Sequence, residues 1–81
     1  MDIETLLSAL GGKENIRTIE GALTRLRVGV HDRGAVDEQA IRSLGAFGVV
    51  IQKDAVQLIF GPESDDIAAE LSERVPGIVQ L

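Results

Sequence analysis

Thr24-Arg25-Leu26-Arg27-Val28-Gly29-Val30 alternates, from Arg25 on, basic or small residues with large aliphatic ones. On an extended chain successive side chains point to opposite sides, so Leu26, Val28 and Val30 share one face and Arg25, Arg27 and Gly29 share the other. An aliphatic face backed by a cationic one describes a strand with one side on a core and one side in water. The segment before it, Ile16 to Glu20, is ambiguous. Read as a strand, it places Ile16, Thr18 and Glu20 on one face and Arg17 and Ile19 on the other. Further upstream Ile3, Leu6, Leu7 and Leu10 recur at helical spacing, and Gly11-Gly12 stops that helix.

Downstream, His31 to Ala35 is a turn-prone cluster, and Asp37 is placed to cap a second helix, with Val36 and Ile41 as a hydrophobic staple. Ala40, Ile41 and Leu44 form the inner stripe of that helix, and Gly45 stands where a left-handed terminal residue is wanted. Ala46 to Gln52 and Ala55 to Phe60, rich in Val and Ile, flank Lys53-Asp54 and read as a hairpin. Its turn lacks the favoured Asn-Gly, which leaves the register less firmly set. Gly61-Pro62 breaks the last strand. Ser64 is the expected cap of a third helix, Asp65 and Asp66 suit its positive end, Ile67, Ala68, Leu71 and Val75 are its apolar stripe, and Pro76-Gly77 ends it. The tail, Ile78 to Leu81, receives no assignment. The predicted fold is α+β, a four-stranded antiparallel sheet with three helices on one face in the order α-β-β-α-β-β-α. Hairpin connections fit the short spacing between paired strands.

Composition narrows the function. Eighty-one residues suffice for one domain, 1–81, and the 44% hydrophobic share is that of a folding chain. Phe47 and Phe60 are the only aromatics, so stacking platforms for bases or sugars are missing. A net charge of -5 opposes binding to a polyphosphate backbone, which excludes general nucleic-acid binding. No run approaches the length of a membrane span and the first residues lack a basic signal start, so a soluble intracellular protein is expected. The chain has no cysteine, which removes disulfides, thiolate metal sites and cysteine nucleophiles together.

Arg25 and Arg27 are the sharpest chemical feature. Residues two apart on a strand project to the same side roughly 7 Å apart, and two guanidinium forks so placed can grip one phosphate-like anion. A solvated outer strand face accounts for the same pair without a ligand. Gly11-Gly12-Lys13 lacks the spacing of a phosphate-binding P-loop and reads as a helix stop. His31, the single histidine, precludes a multi-histidine metal site. Glu63, Asp65 and Asp66 are explained by the helix dipole, so no metal and no cofactor are expected. Glu20, beside the basic pair, is expected to pair with an arginine rather than act as a general base, because no activated nucleophile accompanies it.

Four linked segments, Leu-Gly-Gly-Lys-Glu-Asn-Ile at 10–16, Thr-Arg-Leu-Arg-Val at 24–28, Leu-Gly-Ala-Phe-Gly-Val-Val at 44–50 and Val-Gln-Leu-Ile-Phe-Gly at 56–61, resemble the enzyme IIB domain of the glucose family in the bacterial phosphoenolpyruvate-dependent sugar phosphotransferase system. The resemblance runs from about Ile3 to Val75. It implies a cytoplasmic relay domain, held at the inner face of the membrane through its IIC partner. In the family a cysteine accepts a phosphoryl group from a phosphohistidine on IIA and passes it to a sugar at IIC. The family signature sets an acidic or polar residue, a small residue, the cysteine and an apolar residue before Thr-Arg-Leu-Arg. Here Glu20, Gly21, Ala22 and Leu23 occupy those positions. The resemblance therefore gives Arg25 and Arg27, with Thr24, the phosphate-binding role and Glu20, Gly21 and Leu23 a docking role, while Ala22 stands at the nucleophile's place. A methyl group offers no lone pair to phosphorus. Ala22 then marks either a non-relay member turned docking or regulatory module, with IIA, IIC or a regulator as partner, or a Cys→Ala form of a relay domain. The absence of any other cysteine or tag favours the first. A sensor of phosphate or sugar phosphate built on Arg25 and Arg27 is the reading from a different class.

Overall fold

The computed structural model describes residues 1–80. Helix α1 (Ile3–Ala9) leads through a single 3-10 turn at Lys13–Asn15 into the hairpin β1 (Ile16–Gly21) and β2 (Arg25–Val30). A 3-10 turn at Arg33–Ala35 and helix α2 (Glu38–Ser43) follow. The second hairpin, β3 (Gly48–Ile51) and β4 (Ala55–Ile59), precedes a third 3-10 turn, Gly61–Glu63, and helix α3 (Ser64–Glu73). The four long strands are antiparallel in the order β3-β4-β2-β1, and the predicted succession of elements holds. The unassigned tail adds a short fifth strand, β5 (Val79–Gln80), parallel to β1 at the sheet edge.

Burial follows the alternation read from the sequence. Leu26, Val28 and Val30 are buried on β2, and across the sheet Ile19, Val56, Leu58 and Val49 join them. α3 packs on β1 and β2, α2 on β3, and α1 on both helices, closing the core with Ile3, Leu6, Leu10, Ile41, Ile67, Ala68, Leu71 and Val75. Each fully buried aliphatic side chain contributes roughly 1.5–3 kcal/mol, and with two aromatics in the whole chain the core depends on that sum.

The ends of α1 and α2 are built as their sequences ask. Asp2 accepts from the hydroxyl and the backbone N–H of Thr5, which holds its carboxyl below the usual carboxylate range. Asp37 accepts from the Ala40 N–H, and Gly45 takes φ +105 after α2. At the end of α1 the Gly12 N–H donates to Leu7 and the Gly11 N–H to Ser8, a pattern that needs the left-handed backbone of Gly11 (φ +98).

Three expectations are corrected. Ile16 does not share a face with Thr18 and Glu20. A bulge at Arg17 inserts one residue between the Ile16–Val30 and Thr18–Gly29 pairs, so Ile16 and Ile19 both reach the core. Ser64 is not the cap of α3 but its first residue; buried, its hydroxyl donates back to the Gly61 carbonyl. β3 spans Gly48–Ile51 rather than Ala46–Gln52, although the Phe47 N–H still donates to Ile59. The Lys53-Asp54 hairpin stands as predicted, with the Gln52 N–H donating to Ala55.

The Asn of the 10–16 segment is the staple of this end of the molecule. Buried Asn15 donates through Nδ2 to the carbonyls of Leu10 and Asp32 and accepts at Oδ1 from the Asp32 N–H, at 2.8–2.9 Å. Its own carbonyl accepts from the His31 N–H. Asn15→Ala leaves the Leu10 carbonyl and the Asp32 amide short of partners and is expected to cost about 2–4 kcal/mol. Urea unfolding should record that loss, whereas Glu73→Gln, at an exposed residue without a side-chain bond, should stay within about 0.5 kcal/mol.

Candidate functional site

β2 lies between β1 and β4, so its register is fixed on both sides. The face away from the helices carries two cross-strand rows: Glu20, Arg27, Gln57 and Val50 in one, and Arg25, Ile59 and Gly48 in the next. Both arginines therefore stand on the same open face, Arg25 exposed and Arg27 half-buried.

The β1–β2 turn completes the arrangement. Gly21 pairs with Leu26, and the Ala22 N–H donates to the Arg25 carbonyl at 2.9 Å, which sets Ala22 directly opposite Arg25 with Leu23 and Thr24 at the corners. Residues opposite each other in an antiparallel pair share a face, with Cβ atoms about 4.5–5.5 Å apart. The Ala22 methyl thus lies on the arginine side, exposed, at the head of the basic pair. The Thr24 carbonyl accepts from the Gly61 N–H, which ties the turn to the start of α3. Gly21 lies on the opposite face: a Cβ there would come within 2.7 Å of Asp65 Oδ1 and 3.1 Å of the Ala68 Cβ. Glycine at 21 lets α3 sit directly under the turn.

Arg25 donates through Nη1 to Gln57 Oε1 at 2.8 Å, one of its five N–H donors. Arg27 has no ion pair and no side-chain hydrogen bond among the described residues, where the two ion pairs are Arg42–Glu38 and Arg74–Glu4. The expected pairing of Glu20 with an arginine is absent: Glu20 is the register neighbour of Arg27, yet its exposed carboxylate stays in water. An ion pair at so exposed a position gains little over hydration. The site accordingly offers two guanidinium groups with most of their donors free, beside a methyl group. Among the described residues no three histidine, aspartate or glutamate side chains converge on a possible metal position.

Two residues belong to this end of the molecule that their motifs alone did not single out. Gln57 holds the Arg25 guanidinium, a cross-strand diagonal that only the register reveals. Phe47 is 77% exposed and Leu23 84%, both unusual for large apolar side chains. A Cβ at Gly61, the residue bonded to Thr24, would lie 3.5 Å from Phe47 Cε2, so Phe47 flanks the same turn. An aromatic between Ala46 and Gly48, with Gly45 one residue further back, was the available signal. His31 stands at the far end of β2, away from the arginines.

Known proteins similar to this chain come from one system. A family model described as phosphotransferase system, EIIB, matches residues 4–37. The N-acetylglucosamine-specific EIIB component of the phosphotransferase system from Streptomyces coelicolor is 44% identical over 72 residues, covering 89% of this chain and 94% of that protein. The glucose-specific EIICBA component from Staphylococcus carnosus is 43% identical over 72 residues, which is 89% of this chain but 11% of that much longer protein. Among solved structures, a domain of the IIabc component of the phosphotransferase system from Clostridium difficile superposes with a TM-score of 0.78 at 26% identity, covering 98% of this chain and 82% of the other.

Proposed function

The chain belongs to the EIIB family of the phosphotransferase system, and from that premise we propose that it is a docking or regulatory EIIB domain that engages IIA and IIC components, or a regulator, without carrying the phosphoryl group itself. The observation that carries the proposal is the absence of any cysteine together with the place of Ala22, opposite Arg25 on the open face. Relay through a thiol requires a thiolate to attack phosphorus: the phosphohistidine P–N bond breaks, an S–P bond forms, and the thiol proton has already left. The Ala22 side chain has no electron pair to give. In this reading Arg25 and Arg27 neutralise the charge of a phosphoryl group held beside residue 22. Leu23 and Phe47 offer an exposed apolar rim and Glu20 and Thr24 polar contacts, a composition suited to a protein partner's surface.

The second reading, a sensor of phosphate or sugar phosphate, is favoured by one observation. Arg27 is half-buried with no side-chain partner among the described residues, so an anion at the site would not have to displace a described carboxylate from it.

Incubation with a phosphorylated IIA protein and intact-mass measurement tests the first reading. The chain with Ala22 should remain unmodified, Ala22→Cys should gain one phosphoryl group, and adding Arg25→Ala should slow that gain on the order of a hundredfold. A correctly folded Ala22→Cys that accepts nothing from several IIA donors would contradict the proposal. For the second reading, calorimetric titration with inorganic phosphate and sugar phosphates is decisive: saturable heat lost in Arg27→Ala supports it, and no heat at millimolar ligand rejects it.

A further inference from the structure

The cationic residues are not spread evenly over this acidic chain. Away from the Ala22 turn, Lys13, Arg17 and His31 line one open cavity of about 320 Å³, whose other wall is the Pro76-Gly77-Ile78 turn. They come from three elements: Lys13 from the 3-10 turn after α1, Arg17 from the bulge of β1, and His31 from the residue following β2. Among the described residues no carboxylate side chain lines the cavity.

We propose that this cavity is a second anion site, distinct from the Ala22 turn, and that its ligand is a small phosphate-class oxyanion. Three features support the assignment. First, the frame is rigid. Asn15 bonds the Lys13 turn to the Asp32 backbone, and its carbonyl holds the His31 N–H, so two of the three side chains project from one stapled unit. Second, the third side chain is aimed by a local irregularity. The bulge that turns Ile16 and Ile19 to the core leaves Arg17 as the extra residue, exposed towards the cavity, and bulges commonly re-aim a side chain in this way. Third, the three side chains are unengaged. None of the three makes an ion pair or a side-chain hydrogen bond among the described residues. The adjacent acids are turned elsewhere: Asp32 Oδ1 accepts from the Gly34 N–H, and the Glu14 carboxylate lies beside Gly12.

A planar guanidinium fork, an ammonium and an imidazole present donors of different reach around one small space, a set suited to the several oxygens of a tetrahedral dianion. The volume lies at the small end for ligand sites, which fits inorganic phosphate or a compact phosphate ester. Nothing in this assignment depends on residue 22 or on the relay chemistry of the family.

Backbone amide shifts followed during titration of the whole chain with inorganic phosphate, at ionic strength held constant with sodium chloride, test the proposal. The amides of Lys13, Arg17, His31 and Gly77 should shift along one saturating curve, and Arg17→Gln should weaken that curve by about tenfold or more. Lys13→Gln, outside the sheet, gives the same readout should the bulge not tolerate Arg17→Gln. Shifts that fail to saturate, that chloride alone reproduces, or that keep the same midpoint in a folded Lys13→Gln variant overturn it. Saturation here with silence at Arg25 and Arg27 would refute the phosphate-sensing reading of the other site and leave this one standing.

Discussion

The rest of the structure depends on the alternation of β2 between two neighbours. Leu26, Val28 and Val30 supply the centre of an aliphatic core, and hydrogen bonding to β1 on one side and β4 on the other leaves the strand no freedom to slip. A shift by one residue would bury Arg25 and Arg27 and expose three aliphatic side chains. The placement of two guanidinium groups on the open face is thus enforced by the same hydrophobic burial that stabilises the domain. The site inherits its rigidity from the core beneath it.

Burial of β2 therefore holds the two guanidinium groups in place independently of the side chain at residue 22. Ala22 is a turn residue whose backbone closes the hairpin through the Arg25 carbonyl, and this bond makes no use of its side chain. Exchange between a thiol and a methyl there leaves the turn, the register and the arginines undisturbed. Gly21, by contrast, admits no side chain because Asp65 and Ala68 lie over it. Positions 21 and 22 are adjacent in sequence and separate in physical consequence, one on each face of the hairpin.

The sequence was most legible where periodicity and burial act together. Both hairpins, the stripe of α3 at Ile67, Ala68, Leu71 and Val75, and the caps at Asp37 and Gly45 were readable because each rests on local spacing or local backbone geometry. The face of Ile16 was not, because a bulge adds one residue and inverts parity for everything before it. Ser64 misled because a hydroxyl near a helix start can bond in either direction, and here it bonds backwards to Gly61. At the site, the shared face of Arg25 and Arg27 followed from strand period. The Gln57 contact and the meeting of Lys13, Arg17 and His31 did not, since both require register and tertiary placement.

The proposed function requires one anion position between Arg25 and Arg27, beside the Ala22 methyl. Crystals soaked in tungstate, a tetrahedral dianion with a strong anomalous signal, test it most directly. An anomalous peak within hydrogen-bonding distance of both guanidinium groups and next to Ala22 Cβ is expected. Full density for both side chains with no peak between them, while tungstate occupies other basic positions, would contradict the account.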